Sequence, residues 1–229
     1  MNTTTIEKCI DLCEKRELEE LLNTLRYERE VSILSSKGKK PTLLNATKKY
    51  LEITQKNTAN PRLYGVQHAP DDKQFVLDGF GMIVFNEKHD ELDALPQTEK
   101  TNSLNPESLF MSNTRRMVYY DLSKEDKAIL TNIGKYIKLI GGKSATVPVY
   151  LFGGFYNAKS LAPIIDIIGT EFTAVRINPI TDDRQYSSVE IKNDLCHALI
   201  LGMRTPPEQR EEIKAQAQKF AGLQGVSTL

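Results

Sequence analysis

Three short strings in this sequence have residue types that could do chemistry. Gly142-Lys143-Ser144 has the form of the end of a phosphate-binding loop, in which backbone amides and a lysine cradle phosphates. Such a loop needs a glycine five residues before its final glycine, where Ile137 stands, and it must open a helix, whereas this string closes a helical pattern. Cys9 and Cys13 have the spacing of a helical metal-binding pair, but no second Cys/His pair at zinc spacing accompanies them. Packing, the usual habit of a free cysteine, is the expectation for both. Gly153-Gly154 precedes a helix expected near Asn157, so free amides there could meet an anion; a strand-to-helix bend needing small residues accounts for the pair without one. His68, His89 and His197 are scattered, with His197 expected at an edge or outward position of a strand. The acidic pairs Asp71-Asp72 and Asp182-Asp183 fall in turns, where aspartate serves the backbone. Spacing alone assembles no base and nucleophile, so no catalytic residue, no metal and no cofactor is assigned, and the chain is read as not an enzyme.

Lysine placement is the more informative pattern. Lys+Arg and Asp+Glu balance at 30 each, so no global field draws the protein onto nucleic acid or an anionic membrane. Any such surface must come from local segregation of charge. Lys48, Lys49 and Lys56 lie on one helix, Lys159 on a second, and Lys124, Lys127, Lys135 and Lys138 on a helix between them. A solvated face explains each group singly, but both outer helices carry lysine where an equivalent surface would need it. No run of about 18 apolar residues is present, and residues 1–15 lack the apolar core of a secretory signal. With three cysteines read as reduced thiols, the expectation is a cytoplasmic protein with no membrane association.

The elements that would position these lysines follow from periodicity. Residues 5–28 carry two helical stripes slightly out of phase, one bent helix or two, and Val31 to Leu34 reads as a short strand before a lysine-rich loop to Pro41. From Thr42, Leu43, Thr47, Tyr50, Leu51 and Thr54 share a helical face. Strands follow at Leu63 to Gln67, Gln74 to Leu77 and Phe80 to Phe85, with Asp78-Gly79 as a hairpin signal. Asn86 to Arg116 is a long polar insert with a short helix after Asn105-Pro106, and Met117 to Leu122 is strand-like. Ser123 starts a helix running to about Ile140. Pro148 to Arg204 then reads as strand, helix (Leu161, Ile164, Ile165, Ile168, ended by Gly169) and three antiparallel strands. A mostly polar helix, Pro206-Pro207 to Phe220, and a frayed tail close the chain.

The two halves match in order: helix, strand, acidic turn, strand, strand. Asp71-Asp72-Lys73-Gln74-Phe75 recurs as Asp182-Asp183-Arg184-Gln185-Tyr186 at the same place in that order, which is how an internal repeat is recognised.

A doubled unit of helix plus antiparallel strands resembles the plan of the DNA sliding clamp domain. Phe155 to Leu161, continuing through Gly169, is similar to the strand-to-helix passage of a clamp's last half-domain, and Cys196 to Arg204 resembles its terminal strand. Val76-Leu77-Asp78-Gly79-Phe80-Gly81 resembles the clamp strand ending in Thr-Asp-Gly-His-Arg, with Leu77 in place of the threonine and Phe80-Gly81 in place of His-Arg. The chain also resembles clamp-like proteins of phages and prophages of Firmicutes. The resemblance implies an α+β, DNA-clamp-like domain at 42–204, with half-repeats 42–86 and 148–204 joined by an insert and connecting helix at 87–147. An N-terminal helical extension (1–41) and a C-terminal helix and tail (205–229) complete it. It implies helices facing double-stranded DNA, with Lys48, Lys49, Lys56 and Lys159 as the DNA-facing candidates, binding phosphates without reading sequence. It also implies replication proteins as partners and self-association if a ring forms, since one domain per chain would need six copies to close one. A protein-interaction module that reuses the fold without encircling DNA is the alternative.

Overall fold

The computed structural model of the chain describes residues 3–14, 17–57, 63–98, 105–106, 108–110, 117–141, 144, 146–180 and 186–225. In chain order its elements are α1 (Thr3–Glu14), α2 (Leu18–Ser36), α3 (Thr42–Asn57), β1 (Gln67–His68), β2 (Gln74–Leu77), β3 (Gly81–Phe85) and a 3-10 turn (Asp90–Ala94). Then come β4 (Val118–Tyr119), α4 (Lys124–Thr131), α5 (Ile133–Ile140), β5 (Pro148–Leu151), β6 (Gly154–Asn157) and α6 (Ala158–Ile168). β7 (Ala174–Asn178), β8 (Ser188–Lys192), β9 (Cys196–Leu201) and α7 (Pro207–Gly225) follow. The result is an α+β fold. One antiparallel sheet runs β1-β2-β3-β9-β8-β7-β4, and β5-β6 is a separate hairpin.

The sheet is two meanders joined at their last strands. β3 pairs with β9 so that Met82 stands opposite Leu199, Ile83 opposite Ala198 and Phe85 opposite Cys196. Side chains alternate across a strand, so Ile83 and Phe85 join Val189, Ile191, Ala198 and Ile200 in the main core under the helices. Met82, Val84 and Leu199 point to the other face, where Phe75 and Phe110 complete a smaller core. α6 lies over β3 and β9, α3 packs beside α6 on one flank, and α5 packs against α6 as well. Tyr50 of α3 reaches the join directly, its hydroxyl donating to Gly81 O at 3.3 Å. The main core also draws in Leu34 of α2 and Ala217 and Phe220 of α7, so the terminal helices share it.

Several local expectations are corrected, each by a contact that spacing does not announce. Val31 to Leu34 is helical, because Tyr27, Val31 and Leu34 make one stripe of α2 against the core. The first strand shrinks to Gln67–His68, since Val66 instead bridges Gln97 in parallel and exchanges backbone bonds with Pro96 and Thr98. Met117 to Leu122 pairs only at Val118–Tyr119. Beyond it the chain turns to Ser123, whose side chain and that of Asp126 form a capping box at the start of α4. The helix expected to run to Ile140 breaks at Asn132, which leaves helical dihedrals and donates its side-chain amide to Ala128 O at 3.0 Å. Gly153 serves the β5–β6 hairpin, where Phe152 (φ 51°) and Gly153 (φ 70°) both adopt the left-handed conformation that a two-residue hairpin needs. Phe152 tolerates this with its N–H bound to Asp126 Oδ1 at 3.1 Å. The helix that follows is capped by Asn157. Cys13 is exposed, and only Cys9 is partly covered. The C-terminal helix extends to Gly225 and buries Ile213, Ala217, Phe220 and Ala221. Among the described residues no helix is long and apolar enough to cross a membrane.

Where β9 leaves the sheet, Gly202 N–H donates to Ser187 O and Met203 N–H to Phe155 O, tying the sheet to the β5–β6 hairpin. A Cβ on Gly202 would sit 2.6 Å from Ser187 O and 3.0 Å from Phe155 O, both backbone atoms that cannot yield. Gly202→Ala is therefore expected to lower unfolding free energy by about 1–3 kcal/mol. Urea denaturation checks this; an unchanged midpoint would mean the approach is looser than the structure has it.

Candidate functional site

Two surfaces carry the chemistry-bearing residues: the outward side of the helical layer, and the sheet face turned away from it. On α3, Lys49 and Lys56 are seven apart and so share a stripe, both exposed. On α6 the corresponding stripe is Lys159 and Asp166. Lys49 Nζ lies 2.5 Å from Asp166 Oδ2, which brings the two stripes side by side. With side chains 59% and 41% exposed, that pair is a weak restraint, and Lys49 remains free to exchange partners. Lys159 donates to Ser144 O. α5 adds exposed Lys135 and Lys138 on the flank of α6. Gly142 and Lys143 of the Gly142-Lys143-Ser144 string lie outside the described residues, as does Asp182-Asp183.

Lys48 is separated from the other candidates. One residue back from Lys49, it turns toward α2, where its ammonium stands 3.8 Å from the centre of the Tyr27 ring and 3.8 Å from Glu52 Oε1. There it lines a groove of about 980 Å³ between α1, α2, α3 and the segments at 64–65 and 94–97. That groove also holds Glu17, Glu19, Glu20, Glu28 and Glu52 against Lys8 and Lys48, an acidic lining that repels a phosphate backbone.

The other face of the sheet holds a charge cluster whose members the sequence reading left unconnected. Glu190 on β8 is 2% exposed, stands opposite Arg176 of β7, and its Oε1 accepts from both Arg176 and His197 Nε2. Burial pushes the Glu190 carboxyl up, but the His197 and Arg176 hydrogen bonds outweigh it and hold it below the usual carboxylate range. The His197 ring lies flat on Phe110 of the insert, 3.8 Å between centroids and 9° from parallel. His197 does point outward from the helices as expected, yet the insert covers it. His68 bonds Gln97 Oε1 at 3.0 Å, and His89 packs edge-on to Phe85. Among the described residues no group of three His, Cys, Asp or Glu is placed to hold a metal. Glu190 could have been noticed as a charge between Val189 and Ile191 in an otherwise apolar strand; its partners come from other strands and leave no local sign.

No family model matches this sequence, and neither a curated protein nor a solved structure matches it.

The depressed Glu190 ionisation has a stability consequence of definite sign. A carboxyl held below its unfolded value contributes stability that is present above the unfolded pKa and lost as pH falls through the folded one. Glu190→Gln is expected to destabilise the protein by about 1–3 kcal/mol near neutral pH, and the deficit should shrink below about pH 4. Urea titrations of both proteins across that range test it. A deficit independent of pH would assign the loss to packing rather than charge.

Proposed function

We propose that this chain is a non-enzymatic DNA-associated factor of sliding-clamp type, with the outward stripes of α3 and α6 facing duplex phosphates and the sheet behind them. The observation that carries the reading is a helix, α6, laid over the β3–β9 join with α3 packed beside it. Each meander follows a helix, and the last strands of the two meanders are neighbours, so β1, β2 and β3 correspond in order to β7, β8 and β9. In this reading the halves are two copies of one unit, α3 with β1–β3 and α6 with β7–β9, the half-repeat plan expected of a clamp domain. The charge supports the same face: apart from Lys48 and Glu52, which belong to the groove, α3, α5 and α6 carry Lys49, Lys56, Lys135, Lys138 and Lys159 against Asp166 in a chain whose total is neutral.

Lys49, Lys56 and Lys159 are the DNA-facing residues of this reading, joined by Lys135 and Lys138, and Lys48 is withdrawn to the acidic groove. The Asp78-Gly79 turn is structural in it, since Asp78 Oδ1 accepts from Phe80 N at 2.8 Å and Gly81 N at 2.7 Å. The setting implied by the resemblance is phage or prophage replication, with replication proteins as partners. With one such domain per chain, encirclement needs self-association into a ring. The alternative, an interaction module reusing the fold, is favoured by a different observation: outer strand β4 presents Val118 and Tyr119 at 52% and 81% exposure, an edge suited to receiving another chain's strand.

Phosphate contacts release counterions, so affinity for duplex DNA should fall steeply with salt. Lys49→Glu, Lys56→Glu and Lys159→Glu should each weaken binding and flatten the log-log salt slope by about one. Lys48→Glu should change little, and Asp166→Asn should strengthen binding. Fluorescence anisotropy across a salt series reads all of these. Wild-type affinity in the triple variant, or a flat salt response, would remove the helical face from the reading, and loss of strand-mediated partner capture on Tyr119→Asp would then favour the alternative.

A further inference from the structure

The hairpin of α1 and α2 carries an apolar stripe that the rest of the chain leaves uncovered. On α1, Ile6 and Ile10 are 43% and 54% exposed, and exposed Cys13 continues their line one helical repeat from Ile6. On α2, Leu18, Leu22 and Leu25 are 67%, 47% and 40% exposed. The two lines belong to one side of the hairpin. Thr4, Thr5 and Lys8 of α1 face the acidic groove with Glu20, Thr24 and Tyr27 of α2. Leu12 is turned inward at 3% exposure. Helical spacing then sets Ile6, Ile10 and Cys13, and likewise Leu22 and Leu25, on the side away from that groove, while Leu18 and Glu19, at the start of α2, stand at the groove's rim where it meets the stripe. Single exposed leucines need no explanation, but Ile6, Ile10, Leu22 and Leu25 gathered on one side of two adjacent helices, with Leu18 at their edge, mark an association surface.

The charge around the stripe says what fits it. Residues 3–36 carry eight acidic residues against five basic ones, which repels both a phosphate backbone and an anionic bilayer. Along α2 the flanking charges are ordered about the middle of the stripe, Glu19 before Leu22 and Arg26 after it. That order is self-complementary. When a second α2 lies antiparallel with a two-fold axis at Leu22, Leu18 meets Leu25 of the partner subunit and Glu19 meets Arg26 of the partner subunit, each contact occurring twice. We infer that this chain pairs with a second copy of itself through the α1–α2 hairpins, forming a two-fold, four-helix contact centred on Leu22. The contact uses none of the DNA-facing lysines and stands independently of the DNA reading.

Light scattering and sedimentation equilibrium of the full chain across concentration test the pairing. The wild type should dimerise, and Leu22→Glu should raise the dissociation constant on the order of 100-fold or more with near-UV circular dichroism unchanged, as expected of a residue 47% exposed. Glu19→Arg and Arg26→Glu should each weaken the dimer about 10-fold through like-charge contact, and the double reversal should restore it. A wild type that stays monomeric at its highest soluble concentration overturns the inference, and so does an assembly that survives Leu22→Glu. A double reversal no better than either single change overturns the antiparallel pairing, and flotation of the monomer with anionic vesicles would hand the stripe to a membrane instead.

Discussion

The antiparallel pairing of β3 with β9 is the constraint on which the rest of this fold depends. It joins segments far apart in the chain, and Asn86 fastens one end of it, its side-chain amide donating to Asn193 O at 2.9 Å across 107 residues and to Asp194 O at 2.9 Å. Asn86 N–H adds a bond to Leu195 O at 3.0 Å. Loop closure on that scale is an entropic cost that must be met before the contacts form. What offsets it is the apolar strip that the join creates: Ile83, Phe85, Cys196, Ala198 and Ile200, all buried, beneath α6. α6 can settle there only when both strands are present, and α3 takes its place from α6 and from the Tyr50 contact to Gly81. The juxtaposition of the two lysine stripes is thus a consequence of strand pairing and not of either helix alone.

The same pairing explains why the reverse face needs the insert. With one side of the sheet filled by helices, Phe75, Met82, Val84 and Leu199 would meet water unless something lay over them, and Phe110 does so. Glu190 is on that side as well. A carboxylate at 2% exposure is expensive to desolvate, and its pairing with both Arg176 and His197 is the arrangement that makes the position tolerable. Stacking of Phe110 on His197 then couples the seating of the insert to the integrity of that charge cluster.

Elements with a strong local signal were legible in the sequence. The buried face of α3 (Thr47, Tyr50, Leu51, Thr54), the Asp78-Gly79 turn, the Ser123 cap and the three strands after α6 all follow from spacing or turn chemistry. Misreadings arose where a short apolar run had two possible partners. Val31 to Leu34 has the composition of a strand, and it is helical because Val31 and Leu34, with Tyr27, pack one helical stripe against the main core. The site was partly legible for the same reason. That lysines stand on α3 and α6 is a matter of sequence, but Lys48 and Lys49 differ by one helical position, about a hundred degrees. Which of them turns to α6 depends on where α2 packs.

Charge segregation links these observations. A chain with 30 basic and 30 acidic residues has no net field, so its electrostatics are those of a dipole, positive over the helical layer and negative at the α1–α2 hairpin and its groove. A monopole presents one sign of potential at every face; a dipole gives the Lys49–Lys56–Lys159 side and the hairpin opposite ones. The apolar stripe of Ile6, Ile10, Leu18, Leu22 and Leu25 lies at the negative end, with acidic residues beside it. The proposed lysine face and the proposed pairing stripe thus fall at opposite ends of that charge ordering, so that one could be occupied without excluding the other.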